Sequence, residues 1–133
     1  MITVKTTVNA PIEKVWELWT QPQHITQWNN ASDDWHCPTA TNDLKIGGKF
    51  NFTMASKDGK MSFDFEGTYT NIKLFSIIEY HIIDGRKVII NFEQTENGVI
   101  LTESFDSENV NSEELQKNGW QAILDNFKKY TEH

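Results

Sequence analysis
The chain has 133 residues, a formal net charge of −7 and a single cysteine, which fits one domain with its own core spanning 1–133. The acidic balance argues against a nucleic-acid partner, because phosphate binding wants a basic face, and no basic run marks an anionic membrane surface. Cys37 has no partner for an internal disulfide, and without a leader-like or long apolar stretch the expected location is the cytoplasm.

Ile2 to Val8 alternates Ile2, Val4, Thr6 and Val8, a strand pattern. Asn9-Ala10-Pro11 offers a helix cap and a first-turn proline, and Ile12, Val15, Trp16 and Trp19 follow at helical spacing. Thr20-Gln21-Pro22 ends that helix, and a second short one carries Ile25 and Trp28. Asn29 to Asp34 reads as a loop. Trp35 to Ala40 forms a short strand that Pro38 assigns to an edge or bend.

Three hairpins follow. Phe50, Phe52 and Met54 alternate with polar residues, as do Phe63 and Phe65. A two-residue turn at Asp58-Gly59 pairs Met54 with Phe63, Phe52 with Phe65 and Phe50 with Gly67. The same arithmetic at Asp84-Gly85 pairs Glu79 with Ile90 and Ile77 with Phe92. At Asn97-Gly98 it pairs Ile90 with Phe105, Phe92 with Glu103 and Gln94 with Leu101. Glu79, His81, Val88, Ile90, Phe92, Leu101, Glu103 and Phe105 then share one face, unless a bulge reverses it. Asn111 with Glu114 predicts a capping box for the last helix. Trp120, Ile123, Leu124 and Phe127 lie at i, i+3, i+4 and i+7, one apolar helical face.

The order is α+β: a strand, two short helices, six strands and a long helix. The expected architecture is a curved, mostly antiparallel sheet of about six or seven strands wrapped round the C-terminal helix. The residues that carry a family likeness are Ala10-Pro11-Ile12-Glu13-Lys14-Val15-Trp16, Trp35-His36, Asn42-Asp43-Leu44 and Gly47-Gly48-Lys49-Phe50. Further on come Phe63 to Gly67, Asp84-Gly85-Arg86 and Gly119 to Phe127. In this order they resemble the helix-grip fold of the START/SRPBCC superfamily, and within it the heat-shock protein 90 ATPase activator homologue family. The resemblance covers nearly the whole chain. It implies a cavity between sheet and long helix that takes an apolar ligand, and no single activity, since relatives include lipid carriers, cyclases, stress proteins and the chaperone activator.

The ligand-lining candidates are Trp35, Phe50, Phe52, Met54, Phe63, Phe65, Tyr69, Ile90, Phe92, Trp120 and Leu124; the competing reading is a filled aromatic core. Gly67 and Gly119 leave room. Glu79, His81 and Glu103 form the polar set. A carboxylate among apolar groups has its pKa raised and can move protons or hold a polar ligand head. Asp33-Asp34-Trp35-His36-Cys37 lacks metal spacing, because neighbouring strand side chains point oppositely. No nucleophile, phosphate or dinucleotide motif occurs, so no cofactor or metal is expected. The favoured reading is a non-catalytic binder of an apolar or amphipathic small molecule, as a monomer or homodimer. A cyclase- or dehydratase-type enzyme using a cavity carboxylate and a chaperone-cofactor-like interaction protein are the alternatives.

Overall fold
A computed structural model describes residues 1–133. The elements are β1 (Ile2–Val8), α1 (Ile12–Thr20), α2 (Pro22–Trp28), β2 (Trp35–Asn42), β3 (Lys49–Ser56), β4 (Ser62–Lys73), β5 (Ile77–Ile82), β6 (Lys87–Thr95), β7 (Gly98–Phe105) and α3 (Glu113–Thr131). One seven-stranded antiparallel sheet runs β1-β7-β6-β5-β4-β3-β2. It curls round α3, the helix-grip arrangement expected from the order of elements.

Gln21 is extended (φ −82°, ψ 128°) between α1 and α2, as the residue before a proline prefers. Asn9 does not cap α1. Pro11 stands at the cap without a side-chain bond, and Gln94 Oε1 on β6 accepts from the free Ile12 N–H at 3.0 Å. The cap of α3 lies one residue beyond the expected Asn111: Ser112 Oγ accepts from Leu115 N–H at 3.1 Å. Leu115 therefore stands where a reciprocal box needs a carboxylate. Glu113 and Glu114 in the first turn and Lys128 and Lys129 in the last suit the helix dipole.

Helix α3 also covers an edge of the sheet. Gln121 bonds both backbone groups of Lys5, and Lys128 Nζ donates to Thr7 O at 2.6 Å. Those bonds occupy strand-edge groups of β1 that would otherwise template another chain. Leu124 and Phe127 are fully buried beneath the helix, each worth about 1.5–3 kcal/mol of apolar burial.

The three hairpins differ in how far the expected register holds. In β3–β4, Phe50 pairs with Gly67, Phe52 with Phe65 and Met54 with Phe63, as expected. The loop is longer than two residues: Ser56 N–H donates to Met61 O, and Gly59, at φ +76°, donates to Ser56 O. Both connections centre on Asp58-Gly59, so the register is the same.

In β5–β6 the expectation fails by one residue. Ile82 N–H donates to Arg86 O and Gly85 N–H to Ile82 O, with Gly85 at φ +95°. This three-residue connection pairs Tyr80 with Val88 and Ile78 with Ile90. A one-residue slip inverts a strand, so Ile78, Tyr80 and Ile82 face inward and Glu79 and His81 face out. In β6–β7 the turn is Glu96-Asn97, and Ile90 pairs with Glu103, Phe92 with Leu101 and Val88 with Phe105. That is a two-residue slip, which leaves every side chain on its expected face. A register shift at Thr70, between Tyr69 and Asn71, lets both Tyr69 and Ile72 point inward on β4.

Candidate functional site
Two groups of rings lie between the sheet and the helices. At the base, Trp19 stacks on Trp28 at 4.8 Å and meets Phe127 edge-on at 4.9 Å, while Trp16 lies 5.0 Å from Phe92. Trp28 Nε1–H donates to Leu18 O at 3.0 Å, so its polar atom is satisfied. Towards the other end, Trp120 stacks on Phe105 at 3.9 Å, and Phe65 meets Trp120 edge-on at 6.1 Å. Between these groups is a mainly apolar pocket of about 280 Å³, just below the usual small-molecule range of roughly 300–1,000 Å³.

Strands β3 and β4 supply Phe52, Met54, Phe63, Phe65 and Tyr69 to its wall; β6 supplies Ile90, β7 Glu103 and α3 Trp120. Phe63 is 55% exposed, which marks where the pocket reaches solvent. The remaining ligand-lining candidates lie elsewhere. Phe50 is buried behind the wall, 4.7 Å from Tyr80, with its ring over Gly67. Phe92 packs into the base, and Leu124 is core. Trp35 leans on Phe63 from β2 at 5.9 Å.

Of the polar set, only Glu103 reaches the pocket. His81 is exposed, and half-buried Glu79 accepts from Asn71 Nδ2 at 2.7 Å on the outer face. The expected inward placement of both is overturned by the three-residue β5–β6 connection. No three His, Cys, Asp or Glu side chains gather into a cluster. Burial pushes the Cys37 thiol up to about 11.

The sequence reading missed several lining residues: Trp19 and Thr20 from α1, Trp28 and Asn29, Asn42, Ile78 and Tyr80 from β5, Arg86 and Ile123. A signal for β5 was present, since Ile78, Tyr80 and Ile82 form a cleaner apolar alternation than Ile77, Glu79 and His81. A two-residue turn at Asp84-Gly85 hides that alternation, because it places Ile77, Glu79 and His81 inward.

The polar lining divides into satisfied and free groups. Tyr69 Oη donates to Asn42 Oδ1 at 2.6 Å, and Asn42 Nδ2 donates to Thr20 O at 2.7 Å. Thr20 Oγ1 donates to Trp16 O at 2.7 Å, which closes that chain. Arg86 Nε is paired with Asp84 Oδ2 at 2.8 Å. Glu103 is only 6% exposed, and burial raises its carboxyl to about 8 with no hydrogen bond opposing the rise. Tyr80 is raised well above its ordinary value by burial and then by the charges of Glu103 and Tyr69, with Arg86 opposing. Neither the Glu103 carboxyl nor the Tyr80 hydroxyl is hydrogen-bonded to a protein group. Their oxygens are not sealed either, since the sealed, unbonded side-chain atoms are Asn51 Oδ1 and Thr131 Oγ1.

The family profile described as Activator of Hsp90 ATPase homolog 1-like protein matches residues 9–132. Two similar solution structures share substantial identity. An AHSA1-like protein from Aeromonas hydrophila is 40% identical, with a TM-score of 0.93, over 98% of this chain and 91% of that one. Chr148 from Cytophaga hutchinsonii is 57% identical, with a TM-score of 0.86, over the same shares. CV1439 from Chromobacterium violaceum has the fold at 18% identity, with a TM-score of 0.88 over 99% and 97%. No curated protein matches the chain. No helix is long and apolar enough to cross a membrane.

Proposed function
The chain belongs to the Activator of Hsp90 ATPase homolog 1-like family, and from that premise we propose that it is a cytoplasmic binding protein for an apolar or amphipathic small molecule, held between the sheet and α3. The observation that carries this reading is the pocket of about 280 Å³, with aromatic walls and one buried carboxyl that no protein group satisfies. Apolar walls supply affinity by removing ligand surface from water, and a few placed polar groups fix orientation. Because the carboxyl opens onto the pocket, a ligand polar atom takes the hydrogen bond that water supplies in its absence.

Native mass spectrometry of freshly purified protein tests for a co-purified ligand. Calorimetric titration with 1-ethylnaphthalene tests the pocket directly. The expected result is one site per chain, weakened more than tenfold by Ile123→Trp, which places a larger side chain in the pocket. Equal affinity in a folded Ile123→Trp variant would place binding elsewhere.

The raised Glu103 carboxyl supports a second reading, in which it exchanges a proton with a reacting substrate near neutral pH. With a substrate in hand, unchanged turnover in Glu103→Gln would remove that reading.

A further inference from the structure
The pocket's polar inventory favours one kind of ligand head. Asn42, Thr20 and Tyr69 already serve one another. What remains is the Glu103 carboxyl and the Tyr80 hydroxyl, both unpartnered, with the Asn29 amide and the Arg86 guanidinium also on the lining. Tyr80 and Glu103 lie on the inward face of neighbouring parts of the sheet: Tyr80 pairs with Val88, Glu103 with Ile90 two residues further along β6. The Glu103 charge helps to raise the Tyr80 hydroxyl.

We infer that the ligand's polar end is an uncharged carbonyl oxygen of the ketone class, hydrogen-bonded by the Glu103 carboxyl as donor and by the Tyr80 hydroxyl. This rests on the pocket-binding reading above and names the ligand chemistry it requires. A protonated carboxylic acid and a phenol each carry one O–H. Both donate to a carbonyl, whose oxygen has two lone pairs. A cationic amine is disfavoured, because it would need Glu103 ionised, would lose its own hydration and would sit near the Arg86 charge.

The groups facing Glu103 support its donor role. From β4 and β5 come Tyr69 and Tyr80, both held protonated by burial. Arg86 follows β5 and is shared with Asp84. α1 contributes Trp19 and Thr20, α2 Trp28, and α3 Trp120 and Ile123, none of which titrates. The flanking partners on β6 and β1, Ile90 and Val4, are apolar. With no cation bonded to it, Glu103 keeps its proton up to about pH 8. Above that pH the donor is lost and the ketone faces a carboxylate.

The test compares 1-acetylnaphthalene with its near-isostere 1-ethylnaphthalene and with the permanently cationic (1-naphthylmethyl)trimethylammonium, by calorimetry at pH 6.5 and pH 10. The ketone should bind about tenfold tighter than the ethyl compound at pH 6.5, the worth of roughly one net hydrogen bond. The ratio should shrink to about threefold or less at pH 10, because Tyr80 alone still donates. Glu103→Gln, whose amide donates at every pH, should hold the ratio constant, whereas Glu103→Leu should lower it at pH 6.5. Equal binding of ketone and ethyl compound at pH 6.5 would overturn the inference and leave the pocket reading standing. So would a wild-type ratio that ignores pH, or a quaternary ammonium that binds tightest and gains as pH rises. Binding of none of the three would overturn the pocket reading itself.

Discussion

At the base of the fold, Trp16, Trp19, Trp28, Phe92 and Phe127 meet ring to ring, with centroids 4.8–5.0 Å apart at the closest pairs. Towards the β3–β4 hairpin, Phe52 and Phe65 on the sheet and Trp120 on α3 are the same kind of residue, yet about 280 Å³ stands open among them. The difference lies in what covers the sheet. At the base, α1 and α2 bring three indoles down onto it and Phe127 locks between two of them. At the hairpin end, α3 presents Trp120, already stacked on Phe105, with Gly119 beside it, where an added Cβ would meet nothing within 4 Å. Aromatic content alone therefore decides neither core nor pocket. What decides it is whether the rings that answer the sheet interlock, as they do round Phe127.

The largest expected effect breaks the comparison through its one buried acid. Glu103 rises from an ordinary 4.5 to about 8 on folding. An acid raised by folding leaves its contribution intact below the unfolded value, and the contribution is lost as pH rises through the folded one. Urea unfolding of the wild type should therefore lose roughly 5 kcal/mol between pH 4.5 and 8 from this group, and Glu103→Gln should flatten that slope. An identical slope in the variant would show that Glu103 is solvated.

Next, Phe127→Ala at the packed base should cost about 4 kcal/mol in urea unfolding, because the fully buried ring leaves a cavity between Trp19 and Trp28. Phe65→Ala at the pocket wall should cost only about 2 kcal/mol, since the half-buried ring already borders open space. Equal costs would erase the distinction between the two ends. The smallest effect is a gain: Gly119→Ala should stabilise the fold by about 1 kcal/mol through helix propensity, as nothing obstructs the methyl group. A loss in thermal denaturation would mean that the space at Gly119 is occupied.

Much of this was legible in the chain itself. The i, i+3, i+4, i+7 pattern places Trp120 to Phe127 on one face of α3, and Phe127 and Leu124 are indeed buried there. The β3–β4 register follows from the position of Asp58-Gly59 even though the connection has four residues, because lengthening a loop symmetrically preserves pairing. The β5–β6 register did not follow. A glycine at φ +95° serves a three-residue connection as well as a two-residue one, and the single-residue difference turned Glu79 and His81 out and Tyr80 in. Contributions from α1 and α2, such as Trp19 and Thr20, depend on how those helices lean over the sheet, which no local pattern specifies.

Whether the pocket is the binding site is read most directly from the five tryptophan indoles, followed by two-dimensional NMR during titration with 1-acetylnaphthalene. A ligand in the pocket should give large, saturable shifts of the Trp120 and Trp19 indole N–H signals, which lie on the pocket, and leave the Trp16 signal in place. Saturable binding that leaves Trp120 unmoved, or that shifts Trp16 as far as Trp120, would contradict binding there.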